Sequence, residues 1–378
     1  MILYILEYLN IPGLYNFFNY LTVRTGFALF TSFFFILLFG PALIKKISSY
    51  QSIGQPIRED GPESHIIAKK GTPTMGGIII LLSIVGSILL WVNPESFISW
   101  PVIFILVSFG LIGFTDDFSK VKNNSSKGIS AKIRIFLQII VSLIFIYWIT
   151  KYHHIDIKLL SLPFLKDIFI NLGLFAVPFI LIVILGSANA VNLTDGLDGL
   201  AIVPVMIVAA TFAVICYLAG NIIFAEYLYI NYLPGAGELT VLCAAIIGSA
   251  LGFLWYNAPP AMVFMGDTGS LSLGAALGSI SILLKQEIVL AIVGGIFVAE
   301  AISVILQVSS FKLTGKRIFK MAPLHHHFEK NGLPESKIVI RFWIVAIILA
   351  LIGLATLCLL YTSPSPRDVE ESRMPSSA

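Results

Sequence analysis

Charge is what this chain most lacks. Only 12% of its residues are Asp, Glu, Lys or Arg, against 57% hydrophobic, and the mean hydropathy is +0.92. That balance excludes an ordinary soluble protein. Cysteine is scarce as well. Cys216, Cys243 and Cys358 each fall inside an apolar run, so neither a disulfide framework nor a zinc site is indicated, and the three read as buried apolar thiols. There is no P-loop, Gly-rich dinucleotide fingerprint, zinc-protease helix or hydrolase elbow. Their absence argues against an ATP-driven pump. The first 20 residues lack the basic start and small-residue cleavage site of a signal peptide. No internal repeat and no soluble catalytic module are evident. The net charge of +3 says little by itself, and no nucleic-acid partner is expected.

Long apolar runs fill the chain instead. A membrane-spanning helix needs about 20 mostly apolar residues. Ten stretches qualify: Phe27–Ile44, Gly76–Val92, Phe97–Thr115, Ile133–Thr150, Leu172–Ala190, Leu200–Leu218, Leu239–Trp255, Ser270–Leu284, Ile288–Val308 and Ile338–Tyr361. The expected fold is all-α, a polytopic membrane protein of about ten transmembrane helices in one integral domain, 1–361. Asn10, Pro12, Gly13 and Asn16 interrupt the apolar N-terminal stretch, which reads as an interfacial segment. The Ser- and Pro-rich tail 362–378 is expected to be disordered.

Sorting Lys and Arg by loop gives an orientation. Loops 45–75, 116–132, 191–199, 256–269 and 309–337, with the helix-end residues Arg134 and Arg341, hold 17 of the 24 basic residues. The positive-inside rule makes that side cytoplasmic, with both termini outside. Two GxxxG pairs inside spans, Gly248–Gly252 and Gly274–Gly278, are expected to pack within the bundle.

Against this background five aspartates stand out: Asp116, Asp117, Asp195, Asp198 and Asp267. An aspartate at the centre of a spanning helix costs roughly 2.5–3.5 kcal/mol. All five sit where an apolar run begins or ends, and all fall on the basic-rich side. Adjacent carboxylates such as Asp116 and Asp117 repel, and persist where a cation or proton relieves them. Mg²⁺ suits an all-oxygen donor set shared with substrate phosphates, whereas softer metals would want Cys or clustered His. The segment Asn189–Gly199 and the glycines flanking Asp267 suggest a polar pocket beside a helix start able to meet phosphate; turn and cap roles are the plainer alternative. His325, His326 and His327 are consecutive, so they cannot all face one metal from a regular helix. One or two are assigned to phosphate or proton transfer and the third to packing or capping, with a local structural cluster as the alternative. Lys70, next to a Gly–Thr–Pro turn, is expected to contact phosphate. Lys120 and Lys132 add positive charge on the same side, which topology alone could also explain. Glu300, inside the ninth run, is a functional suspect by default, and an interhelical hydrogen bond is its expected role.

The segments ESHIIAKKGTPTMGG, GFTDDFSKV, SANAVNLTDGLDGLA, GFLWYNAPPAMVFMGDTGSL and MAPLHHHFEKNGLPESKIV run from Glu63 to Val339. Together they resemble the phospho-N-acetylmuramoyl-pentapeptide transferases of bacterial peptidoglycan synthesis, within the polyprenyl-phosphate N-acetylhexosamine-1-phosphate transferase superfamily. The resemblance covers essentially the whole membrane part; the tail after about Tyr361 departs from it. It implies a homodimer in the bacterial cytoplasmic membrane, with a cleft open to the cytoplasm. It also implies transfer of phospho-N-acetylmuramoyl-pentapeptide from its UDP carrier to undecaprenyl phosphate, giving lipid I and UMP with Mg²⁺. On the matching motifs, Asp267 would ligate the metal with Asp116 and Asp117 beside it, one of them assisting deprotonation of the lipid phosphate, and His325 would contact phosphate. Asn192, Asp195, Gly196, Leu197, Asp198, Asn257 and Phe264 would surround the nucleoside, with Phe264 on the uracil and His326 nearby. Lys70, Lys120 and Lys132 would hold phosphates or support the site. Direct attack by the lipid phosphate is preferred to a covalent aspartyl intermediate. Rival readings are a related transferase using a UDP-N-acetylhexosamine and, in another class, a cation-coupled transporter, whose acids should instead converge at mid-membrane.

Overall fold

The computed structural model describes residues 1–51, 71–123, 128–152, 155–163 and 165–358. Lys70 and the tail 362–378 lie outside them. With no water in the bilayer core, each backbone N–H and C=O must be paired within its own segment, so the apolar runs become helices. Two short helices lead, α1 (Ile2–Tyr8) and α2 (Pro12–Asn19), where an interfacial segment is expected. The bundle follows as α3 (Leu21–Tyr50), α4 (Gly77–Trp91), α5 (Ser99–Lys122), α6 (Ala131–Tyr152), α7 (Ala176–Thr194) and α8 (Ile202–Ala219). After the short α9 (Ile222–Leu228) come α10 (Gly237–Asn257), α11 (Gly266–Leu284), α12 (Glu287–Val293), α13 (Gly295–Thr314), α14 (Leu324–Lys330) and α15 (Glu335–Cys358). Among the described residues nine helices are long and apolar enough to cross a membrane, and α4 is a shorter apolar helix of 15 residues.

All ten expected spans are therefore helical, but the ninth is not one piece. It breaks at Gly294 into α12 and α13. Two consecutive glycines, Gly294 and Gly295, carry the lowest helix propensity short of proline and account for the break. A second departure lies between α6 and α7. There, β1 (Leu159–Leu162) and β2 (Leu165–Asn171) pair antiparallel, so the architecture is all-α apart from this hairpin.

Helix α11 is the axis. Of its apolar window 94% is buried, against 22% for α3 and for α13. It packs on α4, α5, α7, α8 and α12. Small residues allow this. A Cβ on Gly274 would lie 2.5 Å from the Ser187 carbonyl oxygen of α7, and one on Gly248 would lie 2.0 Å from that of Leu29 in α3. Both GxxxG pairs thus serve packing within the bundle, as expected.

At the end of the bundle away from α11's N-terminus, Arg24 and Glu238 form a buried bidentate pair, with both N–O distances 2.6 Å. Arg24 also donates to the Trp91 carbonyl, and the Asn93 N–H donates to Glu238. One ion pair thereby ties together α3, α10 and the end of α4.

Candidate active site

The site forms where α5 ends and α11 begins. A helix N-terminus presents unpaired N–H groups and a positive partial charge, and at the start of α11 Asp117 meets both. Its Oδ1 accepts the Asp267 N–H at 3.1 Å, while its Oδ2 accepts the Thr268 N–H at 2.9 Å and the Thr268 hydroxyl at 2.7 Å. One end-of-span aspartate thus caps the next acid's helix. The approach requires Gly113, since a Cβ there would lie 2.2 Å from the Asp267 carbonyl oxygen.

Asp116 is held from the other side. Its Oδ1 accepts the Ile129 N–H at 2.7 Å. Asp116 and Asp117 are each 2% exposed. Asp267 is held by Asn192, whose Nδ2 donates to its Oδ1 at 2.6 Å and to the Ser270 hydroxyl at 2.9 Å. One ligand oxygen from each of Asp116, Asp117 and Asp267 can be chosen so that all lie within 4.8 Å of one another.

Two cations face this trio. The Lys120 ammonium lies 2.6 Å from Asp116, 2.8 Å from Asp267 and 3.8 Å from Asp117. Arg134 of α6 reaches Asp267 at 3.2 Å and Asp116 at 3.9 Å. Three carboxylates and two cations sum to one formal negative charge. The donor set is all hard oxygen, with no sulfur or imidazole in the group, and a single ammonium already reaches every member. This geometry fits a small hard cation such as Mg²⁺.

Arg134 enters the sequence analysis only as a topology charge, while Lys132 is the residue given a phosphate role. The structure reverses their standing toward the acids. Lys132 is exposed and forms no ion pair among the described residues. Two residues of helix turn a side chain by about 200°, so only one of the pair can face the cluster. That rotation was the available signal, and it needed the helix's facing to be read.

The remaining candidates line the loops beside the trio. After α7, the loop at 195–199 is stitched in place. The Asp198 N–H donates to Glu335, and Asp198 Oδ2 accepts the Ala261 N–H at 3.0 Å. Asn257 accepts the Gly199 N–H and donates to the Val263 carbonyl, while the Trp343 indole donates to the Gly199 carbonyl. Asp198 and Asn257 therefore hold the loop's shape. Leu197 is buried in an apolar cluster with Leu200, Ile338, Val339 and Phe342. Asp195, Gly196 and Phe264 are half-buried. The Phe264 carbonyl accepts the Gly76 N–H, and its N–H donates to the Pro73 carbonyl, so the 71–76 turn and the loop before α11 are one unit. His325 is fully buried, whereas His326 is half-buried and pairs with Glu329 at 3.1 Å. His327 accepts the Lys320 N–H and contacts Asn331. Glu335 and Trp343 were not anticipated, because a backbone contact from a distant helix leaves no local pattern.

Residues 69–81 match the phospho-N-acetylmuramoyl-pentapeptide-transferase signature 1, and residues 99–285 match glycosyl transferase family 4. A curated phospho-N-acetylmuramoyl-pentapeptide-transferase of Pelagibacter ubique (strain HTCC1062) is 58% identical over 343 residues, covering 90% of this chain and 95% of the relative. Joined to the converging carboxylates at the end of α5 and the start of α11, that extent of identity places the chain in the phospho-N-acetylmuramoyl-pentapeptide-transferase family.

Proposed function

We propose that this protein transfers phospho-N-acetylmuramoyl-pentapeptide from its UDP carrier to undecaprenyl phosphate, releasing UMP and leaving lipid I in the bacterial cytoplasmic membrane. The observation that carries the reading is the convergence of Asp116, Asp117 and Asp267 with Lys120 and Arg134 at one helix N-terminus. Two anionic phosphates must meet there, and their repulsion has to be screened. Mg²⁺ bound by Asp267 with Asp116 and Asp117 would supply that screening and polarise the pyrophosphate.

The chain's own residues do the rest. Lys120 and Arg134 can exchange carboxylate partners for phosphate oxygens, Arg134 through two parallel N–H donors. Asn192 holds the Asp267 oxygen that Lys120 and Arg134 do not reach. Asp116, held by the Ile129 N–H on one oxygen, keeps the other toward the reacting centre and can take a proton from the lipid phosphate. Asp195, Gly196 and Phe264 form the nucleoside side, their loop held by Asp198 and Asn257. Lys70 and the exposed Lys132 are available to the outer phosphate. A lipid phosphate oxygen is an adequate nucleophile once aligned, so direct attack suffices.

A largely apolar cavity of about 260 Å³ is lined by residues of α7, α8, α11, α12 and α13. Ile182, Gly186, Val208, Leu277, Phe297 and Ile302 help line it, and it reaches Ala190 and Val191, next to Asn192. Isoprenoid carbons entering there would bring their phosphate toward the acids. The basic-rich loops share the site's side, which supports a cleft on the cytoplasmic face with both termini outside.

Purified protein in vesicles should release UMP only when given UDP-N-acetylmuramoyl-pentapeptide, undecaprenyl phosphate and Mg²⁺ together. EDTA should abolish release and excess Mg²⁺ restore it. Faster release from a UDP-N-acetylhexosamine would move the assignment to the related transferases, and full activity in EDTA would remove the metal.

A further inference from the structure

The buried acid Glu300 has no part in the phosphate chemistry, yet it sits fully buried in a membrane-spanning helix, where a carboxylate is costly. Its two oxygens are both occupied. Oε2 accepts the Leu324 N–H at 2.6 Å, and Oε1 accepts the His325 N–H at 3.1 Å. The His325 ring Nδ1 lies 3.2 Å from the same Oε1. Seven residues on, Gln307 accepts the Ile318 and Phe319 N–H groups and donates to the Phe319 carbonyl. Residues seven apart share a helix face after two turns. One face of α13 thus grips the segment that carries the histidines at two points.

On its far edge the His325 ring meets the 195–198 loop. A Cβ on Gly196 would lie 2.3 Å from His325 Nε2, and His325 itself is 0% exposed. Neither ring nitrogen has a hydrogen-bond partner among the described residues; Nδ1 only lies close to Glu300 Oε1. The contact with Gly196 is therefore one of packing, imidazole edge against backbone. From the fully buried Glu300 and His325 to the half-buried Gly196, three residues from three segments form a continuous packed column.

We infer that Glu300 and His325 form a strut that sets the position of the Asp195–Asp198 loop, and so govern capture of the UDP donor as positioning residues. This rests on the donor reading proposed above. Glu300 supplies a two-oxygen acceptor that fixes the backbone at Leu324 and His325, and with it the ring's height, and the ring supplies the surface on which Gly196 rests. Gln at position 300 keeps the shape but replaces one acceptor oxygen with a donor, which opposes an N–H it should receive.

Steady-state UMP release by the full-length protein in vesicles tests this. E300Q should raise KM for the UDP donor about tenfold while changing kcat and the lipid KM by less than about threefold. In an H325A background E300Q should add nothing, because two residues acting through one another are non-additive. G196A should also raise the donor KM, and H325A should relieve that defect by removing the ring that its new methyl strikes. A fall in kcat with unchanged donor KM would overturn the strut and make His325 a contact of the reacting phosphate. Multiplicative effects of E300Q and H325A, or a G196A defect that persists in H325A, would also overturn it. Amide hydrogen exchange gives a reading independent of activity. Residues 195–199 should exchange faster in E300Q than in wild type, and equal rates would sink the idea. Should E300Q fail to fold, E300D, too short to reach both N–H groups, takes its place in every arm. A wild-type protein that released no UMP would defeat the donor reading alone, with the exchange comparison still deciding the strut.

Discussion

Asp267 is the most constrained residue in the site. Its side chain faces Lys120, Arg134 and Asn192, and its own N–H is bound by Asp117. Asp267→Asn keeps the shape and the Asn192 side of the contact but removes the charge on which both cations act. Turnover should fall by at least about a hundredfold, as when a preorganised electrostatic element is lost, with an unchanged melting profile. Near-normal UMP release would contradict the metal assignment. Arg134→Gln should lower turnover by about tenfold or more through loss of a charge-assisted contact; a rate within threefold of wild type would return Arg134 to the role of topology determinant. The five acids could be found in the sequence because a charge beside a long apolar run is rare. Arg134 could not be told from Lys132, since both are basic, two positions apart and just past a loop. Glu300 was conspicuous as a buried acid, but its partners are backbone groups over 20 residues away, which no side-chain pattern encodes.

At the level of elements, apolar length was enough to locate, among the described residues, the nine helices long enough to cross a membrane and the shorter α4, and the break in the ninth run was written as Gly294–Gly295. The β-hairpin was hidden. Leu159–Leu162 and Leu165–Asn171 are short, and their apolar residues blend into the flanking runs. The first turn of α11 could be placed from Gly266 and Asp267, but the aspartate capping it lies on another helix, at Asp117. Long-range capping of that kind replaces the local Ser, Thr or Asn cap a sequence would show. The Arg24–Glu238 pair belongs to this scale too, because it joins three helix ends. Glu238→Ala leaves a buried guanidinium uncompensated and should cost about 3–5 kcal/mol, read as a lower unfolding midpoint in detergent. The pair lies away from the acids, so UMP release per folded molecule should hold near wild type. A midpoint unchanged from wild type would show the pair to be dispensable.

Across the whole molecule, the acids that converge come from α5 and α11, with cations from α5 and α6 and an amide from α7. Such a site exists only once the bundle is assembled. The topology that puts it toward the cytoplasm predicts opposite labelling at two lysines. A cysteine introduced at Lys330, on the site's side, should react with a membrane-impermeant maleimide only from the cytoplasmic face. One introduced at Lys158, beside the hairpin, should react only from outside. Labelling of both from one face would refute the orientation.

Helix α11 is almost wholly enclosed by other helices, whereas less than a quarter of the apolar window of α3 and of α13 is buried. Changes in acyl-chain length therefore act first on the rim, where tilt can absorb a thickness mismatch at fractions of a kcal/mol per ångström. The chemistry is suspended from an inner post that the bilayer does not touch. A cell could remodel its fatty acids with temperature and leave the carboxylate spacing undisturbed.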